Sequence, residues 1–273
     1  SCEDYEDAST IIIGAPMDLT SSFKPGSRFG PQKIREVSAA LEEYSVYIDR
    51  DLKDARFFDC GDLALPAGCV GRSLDIIAKS AGEIISDGKF PLFIGGEHLI
   101  SVPIIKCIYN RYGNDLVLLH FDAHADLRED YLGLKESHAS AIRRVIDFMP
   151  GKNIFQFGIR SATREELRFA KQNTNISMFE VFKPLKAIIK QLEGRPVYAT
   201  IDIDVVDPAY ANGTGAPEPG GITSSELLQA VYLLSSLNLI GADIVEVSPP
   251  YDHSDRTSLL AAKIIREILL IAC

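Results

Sequence analysis

Basic residues never form a long run in this sequence, and the formal net charge of its 273 residues is −10. A protein that follows a nucleic acid or an anionic membrane surface needs a dense basic patch, so we expect neither as a partner. The acidic balance is more compatible with a small cationic ligand, although it chiefly favours solubility.

The five cysteines are scattered, and no stretch of the chain resembles a targeting or membrane segment. The first ten residues, SCEDYEDAST, are acidic and lack an apolar signal core, and charges interrupt every apolar stretch well before it could span a bilayer. The paired cysteine spacing of a zinc site or a disulfide framework is also absent. We therefore predict a cytoplasmic protein with reduced thiols at Cys2, Cys60, Cys69, Cys107 and Cys273.

Linkers rich in Pro, Gly or Ser, internal repeats and low-complexity tracts are absent too, which favours one domain over residues 1–273. The 46% share of hydrophobic residues is enough to fill a large core. The chain does contain a regular alternation of short apolar, β-branched runs with helical patterns. This order predicts an α/β fold in which helices cover both faces of a mostly parallel sheet.

Apolar runs locate the strands, and apolar residues at three- and four-residue spacing locate the helices. Strands are predicted at 11–15, 56–60, 90–95, 115–122, 153–159, 196–203 and 242–248. Helices are predicted from Gly30-Pro31 onward and near 72–87, 98–111, 138–149, 163–172, 180–193, 223–236 and 256–271. Ligands of open parallel sheets bind at the carboxyl ends of the strands, so functional residues are expected there.

Four of these strands are followed at once by acidic residues or histidines, in IGGEH (94–98), HFDAHAD (120–126), TIDIDVVDP (200–208) and DIVEVSPP (243–250). The carboxyl ends of parallel strands lie at one edge of the sheet. We therefore expect one cleft to collect seven side chains: His98, Asp122, His124, Asp126, Asp202, Asp204 and Glu246.

Asp202 and Asp204 occupy alternate positions of one strand, so their carboxylates point the same way and repel unless a cation lies between them. Aspartate at the end of a strand is also ordinary turn chemistry. The DAHAD stretch is more specific, because it places three potential ligands within five residues. A lone histidine is usually a packed or exposed residue, and we assign His120 to packing or hydrogen bonding behind the site and His253 to a surface loop.

Metal ions are the partner that this acidic cluster predicts. The four aspartates carry four negative charges, which two divalent ions balance. Imidazole and carboxylate ligands without thiolate indicate Mn, Fe, Co or Zn, and the oxygen-rich set favours Mn. Two such ions, about 3.5–4 Å apart, would share a water and lower its pKa enough to make hydroxide at neutral pH. The predicted chemistry is hydrolysis.

Together, GGEH, DAHAD and DIDVVDPAYANGTGAPEPGG (202–221) resemble the ureohydrolases, the arginase and agmatinase family, and the likeness covers nearly the whole chain. The resemblance implies a three-layer α/β/α sandwich, the arginase/deacetylase-like fold, with two manganese ions. It assigns His98 and Asp126 to one ion and His124 and Asp204 to the other. Asp122 and Asp202 would bridge the two ions.

Two further roles follow from the same resemblance. His138, in SHAS, matches the family's proton-shuttling histidine, and Glu246 matches the carboxylate that holds the guanidinium of the substrate. Asp126 would deliver a proton to the departing amine, with His138 as the relay. The chain departs from the family at Glu97 and Ala125, where many members have Asp and Thr, and at Asn212-Gly213, where Pro-Gly is usual.

The loop after DAHAD bears on the substrate. Arginases carry Ser, Thr and Asn there, whereas this chain has LREDYLGLKE (127–136), whose acids Glu129, Asp130 and Glu136 would attract the ammonium of agmatine. Exposed charges of this kind also occur simply for solubility. The wider motifs resemble agmatinases, so we predict conversion of agmatine to putrescine and urea.

Several alternatives stay open. Guanidinobutyrate, aminopropylagmatine and arginine are rival substrates of the same chemistry. A zinc deacetylase of the same fold, or a relative that has lost catalysis, would be a different class of protein. The resemblance also implies a homo-oligomer.

Overall fold

A computed structural model describes residues 2–272 of the chain. Eight strands form the main sheet and two short strands, β2 (Tyr44–Ser45) and β3 (Arg50–Asp51), form a separate hairpin. The strands of the main sheet are β1 (Thr10–Ala15), β4 (Phe57–Asp62), β5 (Phe90–Gly95), β6 (Val117–Phe121), β7 (Ile154–Ile159), β8 (Asn175–Met178), β9 (Pro196–Asp202) and β10 (Asn238–Val245).

The order of strands in the main sheet is β4-β1-β5-β10-β9-β6-β7-β8, and every neighbouring pair in it is parallel. Parallel neighbours require crossover connections, and the intervening segments supply helices for them. The helices are α1 (Gly30–Ser38), α2 (Val70–Ser86), α3 (Ser101–Tyr112), α4 (Ala141–Ile146), α5 (Arg164–Asn173), α6 (Phe182–Ile188), α7 (Ser224–Leu233) and α8 (Arg256–Ile271).

Two apolar cores lie on opposite faces of the sheet. One joins the sheet to α1, α6, α7 and α8, and the other joins it to α2, α3, α4 and α5. Side chains of β6 alternate between them, with Leu119 in the first core and Leu118 in the second, because successive strand residues point to opposite faces. The predicted three-layer α/β/α sandwich is therefore confirmed, whereas one domain over residues 1–273 stays a prediction.

The sequence prediction missed β8 and the β2–β3 hairpin. β8 is a four-residue strand at the edge of the sheet, with the mixed sequence NISM, so neither length nor apolarity marked it. The helix predicted at 180–193 is correct in place, but its second half, Ile189–Leu192, is a tighter 3-10 turn. Between residues 2 and 272, no helix combines the length and apolarity that a membrane span requires.

The four strands that end in polar clusters occupy the centre of the sheet, in the order β5, β10, β9, β6. The chain passes from β5 to β6 through α3, while β9 and β10 fill the space between them later in the sequence. This interruption in strand order is a topological switch point, where open α/β sheets bind their ligands.

Candidate metal centre and active-site pocket

The structure brings the predicted site residues to one edge of the sheet, around a pocket of about 320 Å³. Asp122 lies beneath the pocket and is fully buried. The other predicted site residues line the pocket: His98, His124, Asp126, His138, Asp202, Asp204 and Glu246.

His98 faces three carboxylates at once. Its Nδ1 atom lies 3.0 Å from Asp122 Oδ2, 3.2 Å from Asp126 Oδ2 and 3.4 Å from Asp202 Oδ2. Among residues 2–272, this buried nitrogen has no hydrogen-bond partner of suitable geometry. A ring nitrogen surrounded by carboxylate oxygens is an arrangement that a cation, whether a proton or a metal ion, satisfies.

A second group of donors shares Asp122 with the first. His124 Nδ1 lies 2.9 Å from Asp204 Oδ2 and 3.5 Å from Asp122 Oδ1, so the two oxygens of Asp122 face different histidines. Potential ligand atoms lie within 4.8 Å of one another in each of two groups, one made by Asp122, His124 and Asp204 and the other by His98, His120, Asp122 and Asp126. Two groups joined by one carboxylate have the donor set of a binuclear metal site.

Backbone N–H groups orient three of these carboxylates. Asp122 Oδ1 accepts the N–H of His124 at 2.5 Å, and Asp202 Oδ1 accepts the N–H of Asp204 at 2.8 Å. Asp204 Oδ1 accepts the N–H of Ala123 at 3.1 Å, which connects the ends of β6 and β9. In each case the second oxygen, Oδ2, is left to face a histidine.

His120 is held as a hydrogen-bond donor and is unsuited to be a ligand. The Gln156 side-chain amide is oriented by its bonds to Ala125 and Thr174, and its nitrogen donates to His120 Nδ1 at 3.1 Å. The hydrogen of neutral His120 is therefore on Nε2, 2.8 Å from Asp122 Oδ2. This geometry agrees with the sequence interpretation of His120, and His253 is exposed in a turn as expected.

Ionisation in the cluster reflects a competition between burial and charge. Burial lowers the pKa of His98, but three carboxylates, Asp122 first, outweigh it and raise that pKa well above the ordinary value. Burial raises the pKa of Asp202 well above its usual range, and the charges of Asp204 and Asp122 add to the effect. In the protein without metal, protons on the histidines therefore balance the negative charge of the aspartates. Bound cations would replace those protons.

Behind His98, a buried chain of hydrogen bonds fixes the ring. His98 Nε2 lies 2.9 Å from the Thr200 hydroxyl, which donates to Asp243 Oδ1 at 2.6 Å. Tyr198 donates to the other oxygen of Asp243 at 2.7 Å. Because the Thr200 hydrogen is used by Asp243, Nε2 of His98 must donate, so Nδ1 is the ring atom whose proton a bound cation would replace.

Asp126 and Glu246 both have left-handed backbone conformations, with φ of 51° and 66°. Such conformations cost about 1–3 kcal/mol in residues other than glycine and concentrate at functional sites. Two hydrogen bonds hold the turn at Asp126: its carbonyl accepts the N–H of Arg143 at 2.9 Å, and the next N–H, of Leu127, donates to Glu166 at 3.1 Å.

Glu166 is a site residue that the sequence analysis missed. It lines the pocket, and it closes a capping box with Thr163 at the start of α5. The spacing Thr-x-x-Glu at 163–166 was a readable helix-start signal, but nothing in the sequence connected it to Asp126. Gly96 makes a similar long-range contact: a Cβ there would lie 1.9 Å from the carbonyl oxygen of Met17, so the close approach of the two segments requires glycine.

Glu246 and His138 both line the pocket, and burial shifts the pKa of each. Glu246 Oε1 accepts the N–H of His98 at 2.8 Å, and burial raises the pKa of Glu246 to about 8, with a further contribution from the charge of Glu97. Burial lowers the pKa of His138 below its ordinary value, so its ring is neutral at neutral pH. A bound cation would restore the charge of Glu246, whereas His138 is suited to exchanging a proton.

The acids that the sequence suggested for attracting an ammonium are not part of the pocket lining. Glu129 is exposed and forms salt bridges with Arg143 and Arg144, while Asp130 accepts the N–H of Gly133. Glu136 is exposed in the same loop. The interpretation that they meet the substrate was wrong, because none of the three acids lines the pocket.

Comparison with known proteins agrees with this geometry. The sequence profile described as the arginase family matches residues 8–271. An agmatinase from Bacillus subtilis is 54% identical over 270 residues, 98% of this chain and 93% of the relative. A guanidinobutyrase from Pseudomonas aeruginosa is 35% identical over 272 residues, 95% of this chain and 85% of the relative.

A solved structure, the agmatine ureohydrolase of Thermoplasma volcanium, superposes with a TM-score of 0.89 at 34% identity, covering 99% of this chain and 92% of the other. The profile match, the relatives and the superposition each extend over nearly the full length of the chain. With the strand-end cluster in place, they lead to one conclusion, that this chain belongs to the arginase family.

Proposed function

We propose that this protein is an agmatinase, which hydrolyses agmatine to putrescine and urea with two divalent metal ions, manganese by preference. The observation that carries the proposal is a pair of ligand groups that share the buried Asp122, in the same pocket as the carboxylate of Glu246. A donor set of imidazoles and carboxylates suits ions of this class, and the adjacent carboxylate suits a guanidinium.

The proposed metal ligands are the residues of the two ligand groups, with two changes. His120 is left out because it donates a hydrogen bond, and Asp202 is added. His98, Asp126 and Asp122 would hold one ion, and His124, Asp204 and Asp122 the other. Asp202, whose Oδ2 lies 3.4 Å from His98 Nδ1, would complete the site as a second shared carboxylate. When bound, the ions supply Lewis acidity that lowers the pKa of water until hydroxide is available as a nucleophile.

Glu246 binds and orients the substrate in this proposal. A guanidinium is planar and carries several N–H donors, so a carboxylate can hold it by paired, charge-assisted hydrogen bonds. The N–H of His98 fixes one oxygen of Glu246, and the other lies near Gly215, which also lines the pocket. The guanidinium carbon is thereby placed above the metal ligands, with its plane fixed for attack.

Proton delivery falls to Asp126 and His138. Departure of putrescine requires a proton on the nitrogen that leaves, and Asp126, only 6% exposed at the edge of the ligand group, is suited to transfer it. His138 lines the same pocket, and its ring is neutral, so it can accept a proton from the site and pass it to solvent.

The choice of agmatine depends on the relatives more than on pocket charge. Besides the ligand group and Glu246, the charged residues of the lining are Lys24, Arg128 and Glu166. Arg128 lies 5.2 Å above the ring of Tyr131 and 3.8 Å from Glu166, which offsets its charge. The agmatinase relative is much more similar to this chain than the guanidinobutyrase is, and we therefore favour the substrate with a terminal ammonium.

Urea release tests the proposal directly. The protein loaded with Mn²⁺ is expected to release urea from agmatine with a kcat/KM on the order of 10²-fold higher than from guanidinobutyrate or arginine, the preference that similarity to the agmatinase relative predicts. A preference for either of them would overturn the substrate while leaving the chemistry intact. Urea release from none of the three would overturn the function.

The metal content of the protein as purified, before Mn²⁺ is added, separates the remaining alternatives. Two ions per chain agree with the hydrolase, whereas one zinc ion would indicate a deacetylase of this fold and none would indicate a non-catalytic relative. The second ligand group, with His124 and Asp204 around Asp122, favours two ions.

Thr200 offers a test of the metal site that does not depend on turnover. Thr200→Val removes the hydroxyl between His98 and Asp243, and His98 Nε2 loses the acceptor that fixes the ring, so the affinity for Mn²⁺ is expected to fall about 10- to 100-fold. Calorimetric titration of the metal-depleted protein measures the change.

Thr10→Val is the matched control for Thr200→Val. Thr10 is fully buried in β1, and its hydroxyl has no hydrogen-bond partner in the part of the chain that the structure describes. Its replacement is expected to leave Mn²⁺ affinity unchanged. Equal affinities in the two variants would show that Thr200 does not support the metal site.

A further inference from the structure

A buried carboxylate that the proposed mechanism does not use lies behind His138. The side chain of Glu97 is fully buried and does not line the pocket. Its Oε2 atom accepts two hydrogen bonds from Thr20, from the N–H at 2.9 Å and from the hydroxyl at 2.7 Å. Within residues 2–272, its Oε1 atom has no hydrogen-bond partner. Burying a carboxylate with one oxygen unpaired costs folding free energy. We therefore expect a role of Glu97 beyond its two hydrogen bonds with Thr20.

Thr20 connects Glu97 to His138. The Thr20 hydroxyl oxygen accepts the backbone N–H of His138 at 2.9 Å and lies 3.4 Å from its ring atom Nδ1. A hydroxyl has only one hydrogen to donate, and the short bond to Glu97 uses it. The Thr20 oxygen therefore faces His138 as an acceptor, and the contact with the ring is favourable only when Nδ1 carries the ring hydrogen.

The other ring nitrogen of His138 then keeps its lone pair. This atom, Nε2, lies 3.2 Å from the hydroxyl of Ser22, and both residues line the pocket. Ser137 Oγ, 3.3 Å from Nδ1, can accept from the same ring hydrogen. The ring thus presents a proton acceptor to the pocket on one side and a fixed donor to the protein on the other.

We propose that Glu97 and Thr20 are positioning residues for His138. Glu97 takes the hydrogen of the Thr20 hydroxyl, the Thr20 oxygen fixes the ring of His138 in its Nδ1–H form, and Nε2 is held ready to receive a proton. The inference rests on the proposed function, because the relay belongs to that mechanism. Its structural part, the form of the ring, can be measured without turnover.

Nitrogen NMR of the full chain, labelled with ¹⁵N-histidine and loaded with diamagnetic Zn²⁺, distinguishes the two ring forms. We expect the Nδ1–H form for His138 in the wild type, with the signal assigned by its loss in His138→Asn. Glu97→Met, which has a similar length but no acceptor, frees the Thr20 hydrogen to donate to Nδ1, so the ring is expected to change to the Nε2–H form. Glu97→Gln keeps an acceptor oxygen and is expected to keep the wild-type form.

Kinetics test whether the effect reaches the reaction. Thr20→Val is expected to lower kcat for agmatine about 10- to 100-fold, with KM changed less than about threefold, because a misplaced relay slows the chemical step without weakening binding. Thr20→Ser keeps the hydroxyl and is expected to restore most of kcat. In the His138→Asn background, Thr20→Val should have no further effect, since positioning residues act only through the group that they position.

The outcomes separate this inference from the proposed function. An Nε2–H ring in the wild type, an unchanged ring in Glu97→Met, or the same loss of kcat from Thr20→Val in the His138→Asn background would each overturn the inference. A wild type that releases no urea from agmatine would overturn the function, while the ring form of His138 would still decide whether Glu97 and Thr20 position it.

Discussion

Asp126→Asn is expected to lower kcat/KM for agmatine by on the order of 10³-fold or more. The change removes a charged oxygen 3.2 Å from His98 Nδ1 and, with it, the group that we propose for protonating the departing amine. Asparagine keeps the size and the backbone preference of aspartate at a residue whose φ is 51°. A loss of folding is therefore not expected, and urea release together with metal content per chain measures the effect.

Asp130→Asn is the matched control for Asp126→Asn. Asp130 is four residues later and exposed, and its Oδ1 accepts the N–H of Gly133, a bond that asparagine can also accept. Its replacement is expected to change kcat/KM less than about twofold, as is usual for exposed charges. Full activity in Asp126→Asn would remove this carboxylate from the mechanism.

The second large effect is expected at Glu246. Glu246→Gln can keep the acceptor for the N–H of His98, but its amide nitrogen replaces the charged oxygen that faces the substrate. Loss of one partner of a buried, hydrogen-bonded charge pair costs about 2–5 kcal/mol. We therefore expect kcat/KM for agmatine to fall roughly 30- to 4,000-fold.

Metal binding distinguishes Glu246→Gln from the ligand variants. Because Glu246 belongs to neither ligand group, the variant is expected to bind metal as the wild type does. Glu129→Gln, at an exposed carboxylate paired with Arg143, is the control and should retain activity. An unaffected kcat/KM in Glu246→Gln would mean that another group holds the guanidinium.

Much of the fold could be predicted because burial imposes strong local patterns. Strands covered on both faces are largely apolar, so the six inner strands of the main sheet were recognisable as apolar runs. The edge strand β4 was also predicted, although its side chains are half-buried or exposed. The edge strand β8 is covered less completely and its sequence is mixed, so it was not recognised. Ends of elements were also less certain: β10 ends at Val245 because Glu246 takes a left-handed conformation, which no apolar pattern records.

The candidate site was predictable for a related reason. Parallel strands share one direction, so polar residues that follow them must collect at one edge, and the four motifs identify this edge from sequence alone. The acids of the loop after DAHAD were misassigned, since a loop sequence does not indicate which way its side chains turn. Glu129 illustrates the point, because it forms salt bridges with arginines of α4 and does not line the pocket.

By itself, the sequence determined the α/β class, the direction of the strands and the residue types at their ends, because hydrophobic periodicity and crossover geometry are properties of nearby residues. Only the tertiary structure decided which donors share Asp122, which hydrogen bonds orient His98, and how Glu97 reaches His138 through Thr20. Those contacts join segments that are far apart in the chain. The distances and angles of their hydrogen bonds, and the acceptor that receives the one hydrogen of a hydroxyl, are set only when the segments pack together.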